Sequence, residues 1–187
     1  TGIDARIGRE PIRSAKSIAS MPLTAPTEVR NTGTGSLHLV VSQSYTPGKG
    51  EEAEAASGLK IDVRYRDMNG APLDPQSVAV STDFYAVVTV TNTSGYERYA
   101  DPALTHIVPA GWEITSERDL SSLTYQDIRD DRVLSYFDLS RGESKEIPVK
   151  LTATYKGRYY LPSVYCEAMY DNSVRALKKG QWVEVVD

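Results

Sequence analysis

At 187 residues the chain has room for one large domain, or for one full domain and a smaller piece beside it. Hydrophobic residues make up 40%, enough for a real core, and the 25% charged residues are ordinary for a globular protein. The formal net charge of -4 comes from interleaved acids and bases with no Lys/Arg-rich block, so neither nucleic acid nor an anionic membrane has electrostatic support as a partner.

No apolar run is long enough to cross a bilayer as a helix. Thr1 stands where an initiating Met would, and nothing near it reads as a signal peptide. The expectation is a piece of a longer chain, with any export or lipidation signal lying upstream. The single cysteine, Cys166, excludes an internal disulfide and any zinc site built on several thiolates. The two histidines, His38 and His106, are far apart in sequence, and neither has a carboxylate or cysteine at metal-ligand spacing. No metal site is predicted.

In chain order, residues 14–23 and 37–45 read as strands, with Asn31-Thr32-Gly33 between them as a turn. Residues 46–58 (TPGKGEEAEAASG) carry Gly, Glu and Ala without apolar periodicity, which predicts a linker or long mobile loop. Period two then dominates. Leu59, Ile61, Val63 and Tyr65 alternate with Lys60, Asp62, Arg64 and Arg66, the pattern of a strand with one face on a core. Asn69-Gly70 closes it with a pair suited to positive φ. Residues 84–91 (FYAVVTVT) are apolar on both faces and predict a central strand.

Further strands are predicted at 104–108, 132–139, 147–155, 158–161, 164–170 and 181–186. About eight short strands with turn chemistry between them favour an antiparallel β-sandwich, so the fold class is all-β. The stretch 116–129 lacks a convincing apolar stripe, and a short helix or an irregular crossover is expected there. Two or three strands before residue 46 cannot bury much surface alone. They either pack on the sandwich or finish a domain whose other half lies upstream.

Chemistry is sparse. There is no phosphate-binding Gly-rich loop, no dinucleotide fingerprint and no nucleophile elbow, so no cofactor and no enzymatic activity are expected. Asp127, Asp130 and Asp131 supply carboxylates of the kind calcium takes. Arg129 and Arg132 interrupt them and the spacing is not that of an EF-hand, which favours surface ion pairs. Asn92-Thr93-Ser94 fits a glycosylation acceptor formally and reads better as a strand-end turn. Trp112, Trp182 and tyrosines such as Tyr155, Tyr159, Tyr160 and Tyr165 could stack on sugars, but aromatics in such a fold more often fill cores and strand faces. Cys166 shares an alternation face with Val164 and Ala168, which predicts a buried, inert thiol.

Several phrases recur together in one order: Gly58-Leu59-Lys60-Ile61 leading to Arg64-Tyr65 and Asn69-Gly70, then Val108-Pro109-Ala110-Gly111-Trp112-Glu113-Ile114. Arg129-Asp130-Asp131-Arg132-Val133 and Phe137-Asp138-Leu139 follow, then Leu161-Pro162 and Glu167-Ala168-Met169-Tyr170-Asp171. With these, residues 58–187 resemble the final macroglobulin-like domain of bacterial alpha-2-macroglobulins. Residues 1–57 resemble the strands that complete the split CUB-like β-domain of that family, plus a linker.

The resemblance implies a non-catalytic module of a protease inhibitor. In many members of the family, proteolysis of a bait segment triggers rearrangement and exposes a Cys–Gln thioester. The Cys-x-Glu-Gln motif is absent here, and Cys166-Glu167-Ala168-Met169 does not fit it. A thioester in the parent protein would lie upstream, on the helical domain that is this module's implied partner. Target proteases are partners of the full-length protein, and no membrane contact by this piece is implied. The family pattern carries a thioester-shielding Met-Tyr pair onto Met169 and Tyr170. Adjacent residues of a regular strand face opposite sides, so both can cover one bond only where the strand ends or bulges. The implied location is the periplasm or cell envelope, with any lipid anchor in the segment upstream of Thr1. The rival reading is a β-sandwich adhesion or carbohydrate-binding module of a surface protein, to be recognised by an exposed row of coplanar aromatics.

Overall fold

The computed structural model describes residues 2–23, 25–95, 98–118 and 120–187. Among them there is no helix, and the chain forms two compact units, Thr1–Tyr45 and Thr46–Asp187. The first unit is one three-stranded antiparallel sheet. Strand β1 (Ile3–Ile7) lies between β2 (Glu10–Ser14) and β3 (Val29–Asn31). The Asn31-Thr32-Gly33 turn closes on Asp4, whose carbonyl accepts the amides of Thr32 (3.1 Å) and Gly33 (3.0 Å) and whose carboxylate accepts the Thr32 hydroxyl (2.8 Å). Ala5 is the one buried residue among those described in this unit.

The strands expected at 14–23 and 37–45 do not form. Pairing falls instead at 10–14, against β1, and Leu39, Val40 and Val41 stand 58%, 87% and 66% exposed. An apolar run becomes a strand only where it pairs with a neighbouring edge, and residues 37–45 pair with neither edge of the sheet β2-β1-β3.

The second unit begins with β4 (Ala55–Ser57), β5 (Leu59–Asp67), β6 (Ser77–Ala79), β7 (Asp83–Asn92), β8 (Arg98–Tyr99) and β9 (Pro102–Ile107). Then come β10 (Trp112–Ile114), β11 (Tyr125–Ile128), β12 (Arg132–Tyr136), β13 (Leu139–Ser140) and β14 (Ser144–Ala153). Strands β15 (Gly157–Leu161), β16 (Val164–Ala168), β17 (Asp171–Lys178) and β18 (Gln181–Val186) complete it. A four-stranded sheet runs β10-β14-β7-β5, a six-stranded sheet β11-β12-β9-β16-β17-β4 and a three-stranded sheet β15-β18-β6. Pairing is antiparallel except between β6 and β18.

The alternation read from the sequence decides what faces what. On β7, Phe84, Ala86, Val88 and Val90 are all fully buried, in step with Ile147, Val149, Leu151 and Ala153 of β14. One face of the four-stranded sheet is therefore apolar along its whole length. At one end Val88, Val90 and Ile147 meet Leu104, Cys166 and Ala176 of the six-stranded sheet. At the other end Phe84, Val149 and Leu151 meet Val78, Val183 and Val185 of the three-stranded sheet. Trp112 stands edge-on to Phe84 with ring centroids 5.0 Å apart. Each such side chain taken from water contributes about 1.5–3 kcal/mol.

Three differences from the sequence reading have local causes. Of the two expectations for 116–129, the described residues follow the irregular crossover and not the helix, but the crossover ends sooner than expected. Tyr125–Ile128 is instead a strand that pairs with β12 through a turn closed by the Arg129 amide on the Arg132 carbonyl (2.9 Å). Residues 164–170 are not one strand, because β16 stops at Ala168, and β17 follows over residues for which no strand was predicted. Residues 46–57 pack within the second unit rather than lying between units, since Ala55–Ser57 adds an edge strand to β17. Gly58, at φ +71, turns the chain from β4 into β5. A Cβ there would sit 2.9 Å from the Tyr99 hydroxyl and 3.2 Å from Val174, so the bend needs glycine for space as well as for backbone sign.

Candidate functional site

The hairpin between β16 and β17 is the feature that brings the two candidate residues together. Val164, Cys166 and Ala168 point into the core, while Tyr165 and Glu167 lie on the other face, where the Tyr165 hydroxyl donates to the Glu167 carboxylate (2.7 Å). Ala168 pairs with Asp171, so Met169 and Tyr170 are the two loop residues of the turn. Neither takes a positive φ. The two-residue turns whose twist matches paired strands need positive φ, so this one splays its strands.

The register responds at once. It slips between Glu167 and Ala168, leaving residues 172–174 as a bulge of β17. Val174 from the bulge drops into the core. Asp171 steadies the exit by accepting the Ser173 amide (3.0 Å) and hydroxyl (2.5 Å), bonds that hold its carboxyl below the ordinary range.

Met169 is 49% exposed and Tyr170 88% exposed. The alternation rule that would send adjacent side chains to opposite faces does not apply, because the strand ends before them. The tip of the hairpin thus presents a thioether and a phenol on adjacent, solvent-exposed residues. Such a pair can exclude water from a surface it meets, and the phenol hydroxyl can anchor the contact.

Other candidates from the sequence resolve into structural roles. Cys166 is completely buried, and burial pushes its thiol up to about 12, which leaves it protonated and inert. His106 is buried on β9 with neither ring nitrogen hydrogen-bonded, and burial lowers it to about 4. Asp127 pairs with Arg129 (2.8 Å) and Asp131 with Arg132 (2.6 Å). Among the described residues no group of three or more His, Cys, Asp or Glu is placed to hold a metal ion.

Among the described residues, the aromatic pairs that meet at the surface are not coplanar. Tyr125 and Tyr136 meet at 45°, Tyr160 and Trp182 at 68°, and the Arg158 guanidinium lies 4.8 Å over the Trp182 ring. A groove of about 730 Å³ runs beside β5 between Tyr65, Pro72 and Leu161. Its basic residues are Arg64, Arg66, Lys178 and Lys179, and its lining holds no His, Cys, Ser or carboxylate that would make a nucleophile and base.

Residues 58–172 match the family model described as the Bacterial Alpha-2-macroglobulin MG10 domain. The chain belongs to the bacterial alpha-2-macroglobulin family. It is 29% identical over 148 residues to an alpha-2-macroglobulin of Pasteurella multocida, covering 75% of this chain and 8% of the relative. A homolog from Yersinia pestis is 25% identical over 171 residues, covering 76% and 8%. The chain thus spans under a tenth of the length of these relatives.

Among solved structures, a tyrosine-to-glycine mutant of Salmonella alpha-2-macroglobulin superposes with a TM-score of 0.70 at 18% identity, covering 100% of this chain and 13% of that one. The same Salmonella protein reacted with methylamine gives 0.68 at 17% identity, with 100% and 13% covered. Trypsin-activated alpha-2-macroglobulin from Escherichia coli gives 0.65 at 16%, with 100% and 14% covered. The shared fold with bacterial alpha-2-macroglobulins therefore extends over the whole chain, within a much longer polypeptide.

Proposed function

We propose that this chain is the C-terminal, non-catalytic module of a protease-inhibiting alpha-2-macroglobulin, in which the β16–β17 hairpin covers a thioester on an upstream helical domain until a protease triggers activation. The observation that carries this reading is that Met169 and Tyr170 are the two exposed residues at the tip of a hairpin and not successive residues of a continuous strand. Residues 58–187 would be the macroglobulin-like sandwich. Residues 1–57 would complete a split CUB-like domain. Seven large apolar side chains exposed between Ile18 and Tyr45 are surface of the kind an absent second layer covers. The Salmonella relative has been reacted with methylamine and the Escherichia coli relative activated by trypsin, both in keeping with such a role. The location proposed is the periplasm or cell envelope.

The test uses the full-length polypeptide with Met169→Ala and Tyr170→Ala combined. A hydrophobic lid excluding water and small amines is worth a few kcal/mol, so methylamine should inactivate the variant about tenfold faster or more. An unchanged rate would remove the shielding role and leave the hairpin as ordinary interdomain surface.

A further inference from the structure

The stretch that composition marks as a linker or mobile loop is held within the second unit by polar contacts centred on one phenol. The Tyr160 hydroxyl, on β15, donates to the Glu52 carboxylate at 2.5 and 2.6 Å from its two oxygens. It accepts the Gly50 amide at 2.9 Å. Two residues on, Glu54 pairs with Lys178 at 2.8 Å and receives the Lys179 amide at 3.4 Å. The Tyr160 ring stands edge-on to Trp182 with centroids 5.5 Å apart, and the Lys49 ammonium reaches to 5.9 Å over that indole.

The surface is shaped for this. A Cβ on Gly180 would lie 2.4 Å from the Tyr160 hydroxyl, so only glycine leaves the phenol where it is. On the other side, residues 46–54 contain no large apolar side chain. Nothing anchors them by burial, and their attachment rests on polar contacts at the surface. Contacts of that kind open locally without unfolding the core.

We propose that residues 48–54 are a releasable strap, and that Tyr160, Trp182, Gly180 and Lys178 form its docking surface. Docked, the strap holds the chain upstream of β4 against the sheet β15-β18-β6. Released, residues 46–54 become roughly 30 Å of extended tether. The inference does not depend on whether Met169 and Tyr170 cover a thioester.

Trypsin cleavage after Lys49 reads the released population directly when opening is fast relative to cutting. In the 187-residue chain, Tyr160→Phe keeps the ring on Trp182 and removes only the hydroxyl. It should speed cleavage after Lys49, followed by mass spectrometry of fragment 50–187, about tenfold, the scale of one hydrogen bond to a charged group. Amide exchange at Gly50 should accelerate by a similar factor, while cleavage after Arg13 and the thermal midpoint stay unchanged. Glu52→Gln, which leaves the sheet untouched, should act in the same direction more weakly, and it decides the matter if Tyr160→Phe proves unstable. Equal cleavage after Lys49 in wild type and both variants would overturn the strap. So would an increase after Lys49 matched by an equal increase after Lys145 or Lys150, inside β14.

Discussion

Residues 2–45 and 46–187 are built from the same kind of strand, and the two regions end very differently. In the first, β1, β2 and β3 pair through the backbone, yet only Ala5 among the described residues is buried. In the second, one face of the sheet β10-β14-β7-β5 is covered from end to end by two further sheets. Alternating side chains make a sheet in both places. A second layer on its apolar face is what separates a stable domain from a ribbon.

Four experiments sharpen that contrast. The largest effect should come from Phe84, which is completely buried against Trp112. Phe84→Ala should cost about 3–5 kcal/mol, read as a lower urea midpoint of the second unit with the slope unchanged. A loss below about 1 kcal/mol would mean that the cavity collapses and the core is looser than its geometry implies.

Next comes acid. His106 is held neutral by burial, with its folded value near 4 against 6.5 for the free side chain. The unfolded chain therefore binds the extra proton between those values, and stability is full above pH 6.5 and falls as pH drops toward 4. The loss from this group should be about 3 kcal/mol. It is isolated by comparing wild type with His106→Leu, whose urea midpoint should fall less between pH 7.5 and pH 4. Parallel profiles for the two proteins would show that His106 plays no part in acid sensitivity.

Gly58→Ala should be milder, about 1–2 kcal/mol, because alanine at positive φ is strained and its Cβ crowds the Tyr99 hydroxyl. A change of the thermal midpoint by several degrees would register it. Smallest of all should be Val40→Ala in the first unit. The side chain is 87% exposed, so its removal should shift stability by less than about 0.5 kcal/mol in this chain. The same substitution in the full-length protein becomes costly if another layer covers that run, which would mark the first unit as half of a larger domain.

Legibility from sequence follows the same divide. Strands β5, β7 and β14 could be read closely because their β-type patterns are long, and the residues that reach the core recur at every second position over much of each strand. Strand β11 was hidden inside a polar stretch, since only Tyr125 and Ile128 of its four residues are apolar and Gln126 is the one that is buried. Strand β17 was obscured by charges and by the bulge that breaks its period. Met169 and Tyr170 came from family resemblance, and residue pattern alone would have placed them on opposite faces of a strand. The Tyr160–Glu52 contact carried no local signal, because its partners stand 108 residues apart.

By itself, then, the sequence determined the all-β class, the faces of the long strands and the family, because side-chain alternation and turn residues are local properties that survive without a partner. Tertiary structure alone decided where β16 stops, that residues 37–45 stay unpaired, and that a Gly- and Glu-rich stretch is held down. Each of these depends on whether a distant edge, core or phenol is there to meet the chain, and no local pattern records that meeting.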